Sequence, residues 1–381
     1  MKICDVVLNS IWFDPRVRKQ IAEYQANDQE VVAVGLKCPR YDEKKVKRIP
    51  CDATIVKIDE KYDGKQYGLL RKLKRERLRS KGIESAILHY KPDVIHANDL
   101  NALILVYRAS KKLKCKLIYD SHEVNVENYM RKRPKTAGIL HLIEKYLVRR
   151  VDLMICVSHA AAEYFADTYG IPKPMVVTNC ALKRETLTTM PSKHAGFEIL
   201  NHGQFYKGRG YEEMIGAAAM LKEYPEIKIA VRGFGTLEET MRKQVEDNHL
   251  ENCIFYPPVQ VEQLIPEAAA SHVGVAFTEP ICLNFKLSVS NKLFEYAAAG
   301  LPVIMSDIPE HRYLNEQYHF GLILSENTPH ALAEAIKKLY TDRTLYEELA
   351  ANSRKMSQEI NWENEFGKLI QAEEAMIGAK T

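Results

Sequence analysis

Between Ser288 and Ile304 the chain reads Ser-Val-Ser-Asn-Lys-Leu-Phe-Glu-Tyr-Ala-Ala-Ala-Gly-Leu-Pro-Val-Ile, and two of its charges could do chemistry. Lys292 falls in the first turn of an expected helix, whose free amides already make a positive end suited to an anion. A lysine is poorly placed there unless a phosphate is near. Glu295 follows within one turn, about 100° per residue round the helix. A carboxylate at that position could take two ribose hydroxyls while the helix end holds a diphosphate. The plainer alternative is an amphipathic helix with two solvated charges. Ser290 is the expected capping residue, its hydroxyl accepting from the first-turn amides.

Further polar groups fall at predicted strand ends. His202-Gly203-Gln204-Phe205-Tyr206-Lys207-Gly208-Arg209-Gly210 follows a strand and opens a helix. Its glycines would let the backbone approach a phosphate, and Lys207 or Arg209 would supply charge. It is neither a GxGxxG fingerprint nor a P-loop. Arg232-Gly233-Phe234-Gly235 is a second glycine-rich strand end, and Thr278-Glu279-Pro280 a third, opening a loop through Asn284. In the N-terminal half, Asp93–Asp99 and Tyr119–Glu123 are strands ending in His beside a carboxylate. His122 could bond a sugar or acceptor hydroxyl, and a structural histidine is the weightier reading for His96. There is no DxD pair, Walker motif or His/Cys/Asp cluster with metal-ligand spacing, so no metal is expected.

These residues need strands to carry them. In the N-terminal half, strand-like runs at Ile3–Leu8, Glu30–Gly35, Thr54–Ile58, Val94–Ala97, Lys116–Tyr119, Leu153–Val157 and Met175–Val177 alternate with helical patterns. Asp14-Pro15 opens the first helix. A second alternating series starts at Glu198–His202 and includes Lys228–Arg232, Cys253–Tyr256, Val273–Phe277, Val303–Met305 and Gly321–Leu324. Helices are expected at Tyr211–Tyr224, Thr236–Asn248, Val261–Ala270, Asn291–Ala299, Pro329–Tyr340 and Thr344–Met356, with a last one from Trp362 to Met376. Such alternation predicts two doubly wound α/β domains with parallel sheets, and ligands beyond the carboxyl ends of their strands. The expected boundaries are 1–180, a linker at 181–196, and 197–358, with a C-terminal helix at about 361–381 returning to the first domain.

Composition is that of an ordinary globular protein, 46% hydrophobic and 27% charged over 381 residues. The net charge of +4 is too small to argue for nucleic acid. Basic residues cluster, however: from Lys65 to Lys81 stand Lys65, Arg71, Lys72, Lys74, Arg75, Arg77, Arg79 and Lys81 against Glu76 alone. Arg131-Lys132-Arg133 and Arg149-Arg150 add to them. The expectation is peripheral contact with an anionic membrane or a phosphate-bearing acceptor, the alternative a solvated helix face. The eight cysteines form no CxxC pairs, which favours reduced thiols. With a strand at the very start and no apolar run near the ~20 residues of a membrane span, the expected location is cytoplasmic, at the inner face of the plasma membrane.

Taken together, these residues resemble the family 4 retaining glycosyltransferases of the GT-B fold, as found in bacterial polysaccharide synthesis. The resemblance runs through Asp14-Pro15-Arg16-Val17, Asp93–Asp99, Tyr119–Glu123, Val151-Asp152 to Val157-Ser158, Asn179, Gly203–Gly210, Asn291–Ile304 and Trp362-Glu363. It implies two facing Rossmann-like domains, the first for the acceptor and the second for a nucleotide-diphosphate sugar, a UDP-sugar above all. Glu295 is implied at the donor ribose. Arg209 or Lys207 is implied at the diphosphate, and Ser290, Asn291 and Lys292 at the pyrophosphate. Gly203 and Arg232 complete the donor-side set. His122 is implied at the transferred sugar and acceptor.

There are departures. Leu287 stands where many members have a second glutamate, a role Glu279 would have to fill. Gln204 replaces a frequent arginine, and Asn9–Phe13 replaces a glycine-rich loop. The reading is therefore a metal-independent glycosyltransferase acting with retention on a hydroxyl acceptor, expected to be lipid-linked or a polysaccharide intermediate. Its rivals are a nucleotide-sugar epimerase of the same fold and a donor-binding but inactive partner subunit. A dinucleotide oxidoreductase stands further off, because neither half carries the glycine fingerprint with its acid.

Overall fold

A computed structural model describes residues 1–37, 49–56, 69–127 and 133–378, the side chains of 69–73 excepted. Lys65, the side chains of Arg71 and Lys72, and Arg131 and Lys132 lie outside what is described.

The described chain forms two compact units, residues 1–178 with 366–381 and residues 179–365. The first runs β1 (Lys2–Val7), α1 (Pro15–Ala26), β2 (Glu30–Leu36), β3 (Asp52–Val56), α2 (Leu69–Tyr90), β4 (Val94–Asn98), α3 (Asp99–Leu113) and β5 (Lys116–Ser121). It continues through α4 (Pro134–Val148), β6 (Leu153–Cys156), α5 (His159–Tyr169) and β7 (Met175–Val176). All strands pair in parallel in the order β3-β2-β1-β4-β5-β6-β7. Their near-continuous Val, Ile and Ala content suits a sheet buried on both faces. Strand order reverses between β1 and β4, the switch point where such sheets bind ligands.

The second unit runs β8 (Phe197–Gln204), α6 (Tyr211–Met220), β9 (Ile227–Phe234), α7 (Glu238–Asp247), β10 (Cys253–Tyr256), α8 (Val261–Ala269), β11 (Val273–Ala276) and α9 (Leu283–Leu287). It goes on through α10 (Asn291–Ala298), β12 (Val303–Met305), α11 (Pro309–Tyr318), β13 (Gly321–Ile323), α12 (Pro329–Thr341) and α13 (Arg343–Glu359). Its parallel sheet has the order β10-β9-β8-β11-β12-β13, reversing between β8 and β11. The last helix, α14 (Trp362–Gly378), belongs to the first unit from Phe366 onward. There Phe366 meets the ring of Tyr24 edge-on, and the Tyr24 hydroxyl donates to Glu373 at 2.6 Å.

Two helices escape the sequence pattern. α9 replaces part of the expected loop, and α11 was not expected at all. α11 opens with Pro309 at its first position but buries only Glu310, His311 and Leu314. That is too polar a face for hydrophobic periodicity to reveal. The segment 181–196 packs on the second unit: Leu187 N–H donates to Ala298 O at 3.1 Å, and Lys193 Nζ donates to Ser271 O at 2.6 Å.

Candidate functional site

In the second unit the candidate residues gather at the carboxyl ends of β8 and β11. β8 ends in Asn201-His202-Gly203-Gln204. Asn201 is fully buried and its amide works in two directions. Its Nδ2 donates to Arg209 O at 3.0 Å, and its Oδ1 accepts from Lys292 Nζ at 2.6 Å. One strand residue thus ties the glycine loop to the start of α10. Gly203 has φ 124, and a Cβ there would stand 3.4 Å from Lys292 Cε. The turn therefore needs the one residue that tolerates a positive φ without a side chain.

α10 is seated by Tyr296. Its hydroxyl donates to Leu200 O and accepts from His202 N–H, each at 3.1 Å. The ring lies over β11 at Gly274, where a Cβ would come within 2.3 Å of it. This fixes the helix start and points Lys292 and Glu295 toward β8. His202 Nε2 lies 2.7 Å from Glu295 Oε2, so one oxygen of the expected ribose-binding carboxylate is held by a buried histidine. The Ser290 hydroxyl makes no capping bond. This corrects the expected cap: the first turn instead receives the Ser290 carbonyl, bonded by Leu293 N–H at 3.1 Å.

Lys292 is the electrostatic centre. Burial, then the nearby Arg209 charge, lower its pKa to about 7 against the partial opposition of Glu295. Burial likewise pulls Arg209 below the ordinary guanidinium range. Arg209 stacks over Phe285 at 4.2 Å, and Lys292 sits 5.1 Å from the centre of the Tyr211 ring. Neither cation forms an ion pair with a carboxylate among the described residues. The Tyr211 hydroxyl and His202 Nδ1 are buried without a hydrogen-bond partner. Two cations, unpartnered polar atoms and a helix N-terminus converge, an arrangement suited to a diphosphate.

Other expected members divide. Lys207 is exposed at the loop tip. Glu279 lies on the loop after β11, its N–H donating across to Gly208 O of the glycine loop at 3.0 Å. Asn291 is exposed at the first position of α10. Arg232 is not brought to the cluster by any bond: it donates to Glu267 at 2.9 Å and Pro257 O at 3.2 Å, and stacks over Tyr256 at 4.6 Å. Leu287 ends α9. Sequence reading missed Asn201, Tyr211 and Phe285, and it gave no role to His202, which opens the glycine motif. Asn201-His202, a polar pair inside an otherwise apolar strand, was the available signal.

The first unit holds a second polar cluster at the carboxyl ends of β4 and β5. Asp120 is fully buried and accepts a bidentate pair from Arg16, at 2.8 and 3.0 Å, and a bond from Gln20 at 2.7 Å. His96 and His122 approach the same carboxylate at 3.3 and 3.4 Å. Burial alone would raise the Asp120 pKa, but Arg16 and the two histidines hold it well below the carboxylate range. His122, its side chain 19% exposed, moves the other way. Burial would lower its pKa, but Asp99 and Asp120 raise it to about 9. Its Nε2 also lies 3.1 Å from Asn98 Oδ1, and its N–H donates to Asp99 at 3.2 Å. Asp99 itself has φ 68, the strained left-handed region for a residue with a Cβ. Behind this row, Tyr24 bridges His96 Nδ1 at 2.9 Å and Glu373. Among the described residues no group of three or more His, Cys, Asp or Glu could hold a metal ion.

Two sheets with the order and switch points described define a pair of Rossmann-like units, the GT-B fold. Residues 15–183 match Glycosyltransferase Family 4 and residues 189–356 match Glycosyl transferases group 1. Together these matches place the chain among the glycosyltransferases. No protein of curated function matches it by sequence. Among solved structures it is similar to sucrose-phosphate synthase from Thermosynechococcus elongatus, with TM-score 0.79, 16% identity and full coverage of both chains. Anabaena HepE in complex with UDP-glucose gives TM-score 0.72 and 15% identity over 98% of this chain and 100% of that one. An E. coli protein described as trehalose-6-phosphate bound with UDP-2-fluoro glucose gives TM-score 0.70 and 12% identity over 98% of each. At these identities the likeness is one of fold.

Proposed function

We propose that the chain transfers a sugar from a nucleoside-diphosphate sugar, UDP as the expected nucleotide, to a hydroxyl acceptor with retention of configuration. The observation that carries this reading is the Lys292–Arg209 pair, two partly buried cations beside the Gly203 turn and the start of α10. When the sugar–phosphate bond breaks, negative charge accumulates on the departing diphosphate. Cations fixed there stabilise that charge more than they stabilise the bound donor, which lowers the barrier. The amides of Asn291 and Lys292 at the helix start add to the effect. Glu295, oriented by His202, would accept from the ribose. Anabaena HepE, of the same fold, is described with UDP-glucose.

His122 is proposed at the transferred sugar. With its pKa near 9 it is a cation at neutral pH, so it would donate a hydrogen bond rather than remove a proton. Glu279, beside Gly208, is proposed to meet the sugar where Leu287 cannot. Arg232, in view of its bonds to Glu267 and Pro257, is proposed to brace β9 rather than touch the donor. No resident metal is invoked, and the acceptor is proposed to be a lipid-linked or polysaccharide intermediate. Domain roles follow: donor in the second unit, acceptor in the first.

The test is calorimetry of UDP with Glu295→Ala. The expected loss is at least ~10-fold in affinity, from a carboxylate bonded to two hydroxyls. Unchanged affinity would remove Glu295 from the ribose. A nucleotide-sugar epimerase is the second reading, because a structure described as a putative UDP-N-acetylglucosamine 2-epimerase from Listeria monocytogenes shares the fold at TM-score 0.66. Product analysis separates the two: an epimerase inverts its nucleotide sugar without any acceptor. A donor-binding subunit without activity would bind UDP-sugar and yield neither product.

A further inference from the structure

Helix α4 carries apolar side chains on both its buried and its exposed face. Inward, it buries Ala137, Leu147 and Val148, and its Glu144 carboxylate accepts from the hydroxyls of Tyr119 and Tyr169 at 2.6 and 2.7 Å. Outward, Ile139, Leu142 and Tyr146 are 60, 67 and 51% exposed. Single exposed apolar residues are commonplace. These three recur at i, i+3 and i+7, forming one ridge along the helix. Lys135 stands a turn before the ridge and Arg150 a turn after it, its guanidinium 3.6 Å over the Tyr146 ring.

The ridge does not stand alone. α2, α3 and α4 pack side by side. The Tyr107 ring of α3 lies edge-on to Tyr146, with Lys111 5.3 Å from its centre. On α2, Lys74, Arg77 and Lys81 are exposed around Leu78, itself 52% exposed. Every exposed large apolar side chain among the described residues of the first unit therefore lies on α2 or α4, each among cations. The acids of this layer are engaged: Glu76 with Arg79, Glu84 with Lys112, and Glu144 with the tyrosines. No described helix is long and apolar enough to cross a membrane.

We propose that the outer face of α4, continued by α3 and α2, lies on the surface of an anionic lipid bilayer. Leu142 and Ile139 enter the acyl boundary, Tyr146 sits at headgroup level, and the flanking cations meet lipid phosphates. Charge decides between occupants. A second copy docking on the same face would set cation against cation. A bilayer supplies both the apolar layer and the opposite charge, spread over an area as wide as three helices. Lys74, Arg77 and Lys81 of α2 are then one edge of the contact, and α4 its apolar keel. The inference stands apart from the donor reading, since a lipid contact needs no nucleotide.

The experiment is co-sedimentation of the full chain, without substrate, with vesicles of phosphatidylcholine alone or mixed with phosphatidylglycerol. Wild type sediments with the mixed vesicles only, and salt weakens binding. Ile139→Ser with Leu142→Ser lowers the partition coefficient ~10-fold or more, as expected for two buried apolar side chains. Lys135→Glu with Arg150→Glu lowers it on mixed vesicles. Val261→Ser, at an exposed apolar residue of the second unit, leaves it unchanged. All five substituted side chains are at the surface, and thermal unfolding checks that each variant is folded. Binding of wild type to neither vesicle, or full binding by the Ile139/Leu142 variant, overturns the proposal. So does a dimer in sedimentation velocity that this variant dissociates, because the face would then belong to a second copy.

Discussion

The two units present their polar clusters at corresponding ends of similar sheets, yet balance charge in opposite ways. Around Asp120 the negative centre is met by Arg16, Gln20, His96 and His122, all within the first unit. Around Lys292 the positive centre is met by one amide and a ring face, with a second cation nearby. The first cluster meets its central charge with cations of the protein itself. The second is costly in the fold alone and suited to an anion. Buried charges without counter-charges are functional candidates for this reason.

The largest expected effects follow from that contrast. Asp120→Asn leaves Arg16 buried beside a neutral amide, and should destabilise by about 3–5 kcal/mol, the usual result of removing one partner of a buried pair. Lys292→Met should do the reverse. It removes a poorly paired buried cation and should stabilise the free protein by about 1 kcal/mol, the activity–stability exchange common at binding sites. Thermal unfolding of the two variants measures both. A Lys292→Met protein as damaged as Asp120→Asn would mean that both clusters are structural, and the contrast would fail.

The same variant should lose the ligand. Lys292→Met is expected to weaken UDP binding by ~10- to 100-fold, since a hydrogen bond to a charged group contributes about 1.5–3 kcal/mol. Calorimetry reads this directly. A loss under threefold would assign the anion to Arg209 and the helix end instead.

The clusters also titrate in opposite senses. His122 is raised from 6.5 to about 9 in the fold. Its contribution to stability is therefore full below 6.5 and is lost as pH rises through 9. Lys292 is lowered from 10.5 to about 7. Its burial cost is full below 7 and is relieved as pH rises toward 10.5, because the unfolded chain then binds the extra proton. Thermal unfolding across this range should show the falling component absent from His122→Gln and the rising one absent from Lys292→Met. A diphosphate would return the Lys292 pKa upward. UDP binding should then take up a proton above pH 7, and affinity should fall with rising pH. Calorimetry in buffers of different ionisation enthalpy detects that proton.

How much of this was legible depended on which residues carry a local pattern. The parallel strands were, because buried apolar runs alternate with amphipathic helices. Lys292, Arg209 and Glu295 were, because charges at a helix start or in a glycine loop stand out against local sequence. Asp120 with Arg16 was not. Their meeting spans 104 positions, and no spacing rule links a strand end to the first turn of a distant helix. His202 was hidden similarly, since its partner Glu295 comes from another strand–helix unit. The ridge on α4 was hidden because Ile139, Leu142 and Tyr146 look like core residues until the opposite face of the helix is seen to be packed.

Arg232 offers the finest test of the comparison. By sequence it belongs with the donor-side cations, at a glycine-rich strand end like that of Gly203, with which Gly233 pairs in register. By contact it resembles Arg16: a buried guanidinium engaged by a carboxylate and a carbonyl, here Glu267 and Pro257. Arg232→Lys keeps the charge but loses the planar fork and its stacking on Tyr256. If Arg232 is a brace, this variant should lose about 1 kcal/mol of stability and change UDP affinity by less than ~threefold, within about 0.7 kcal/mol. If affinity instead falls tenfold with stability intact, the anion-binding cluster extends across β9. Carboxylate pairing would then no longer separate the cations that hold this fold from those that hold its ligand.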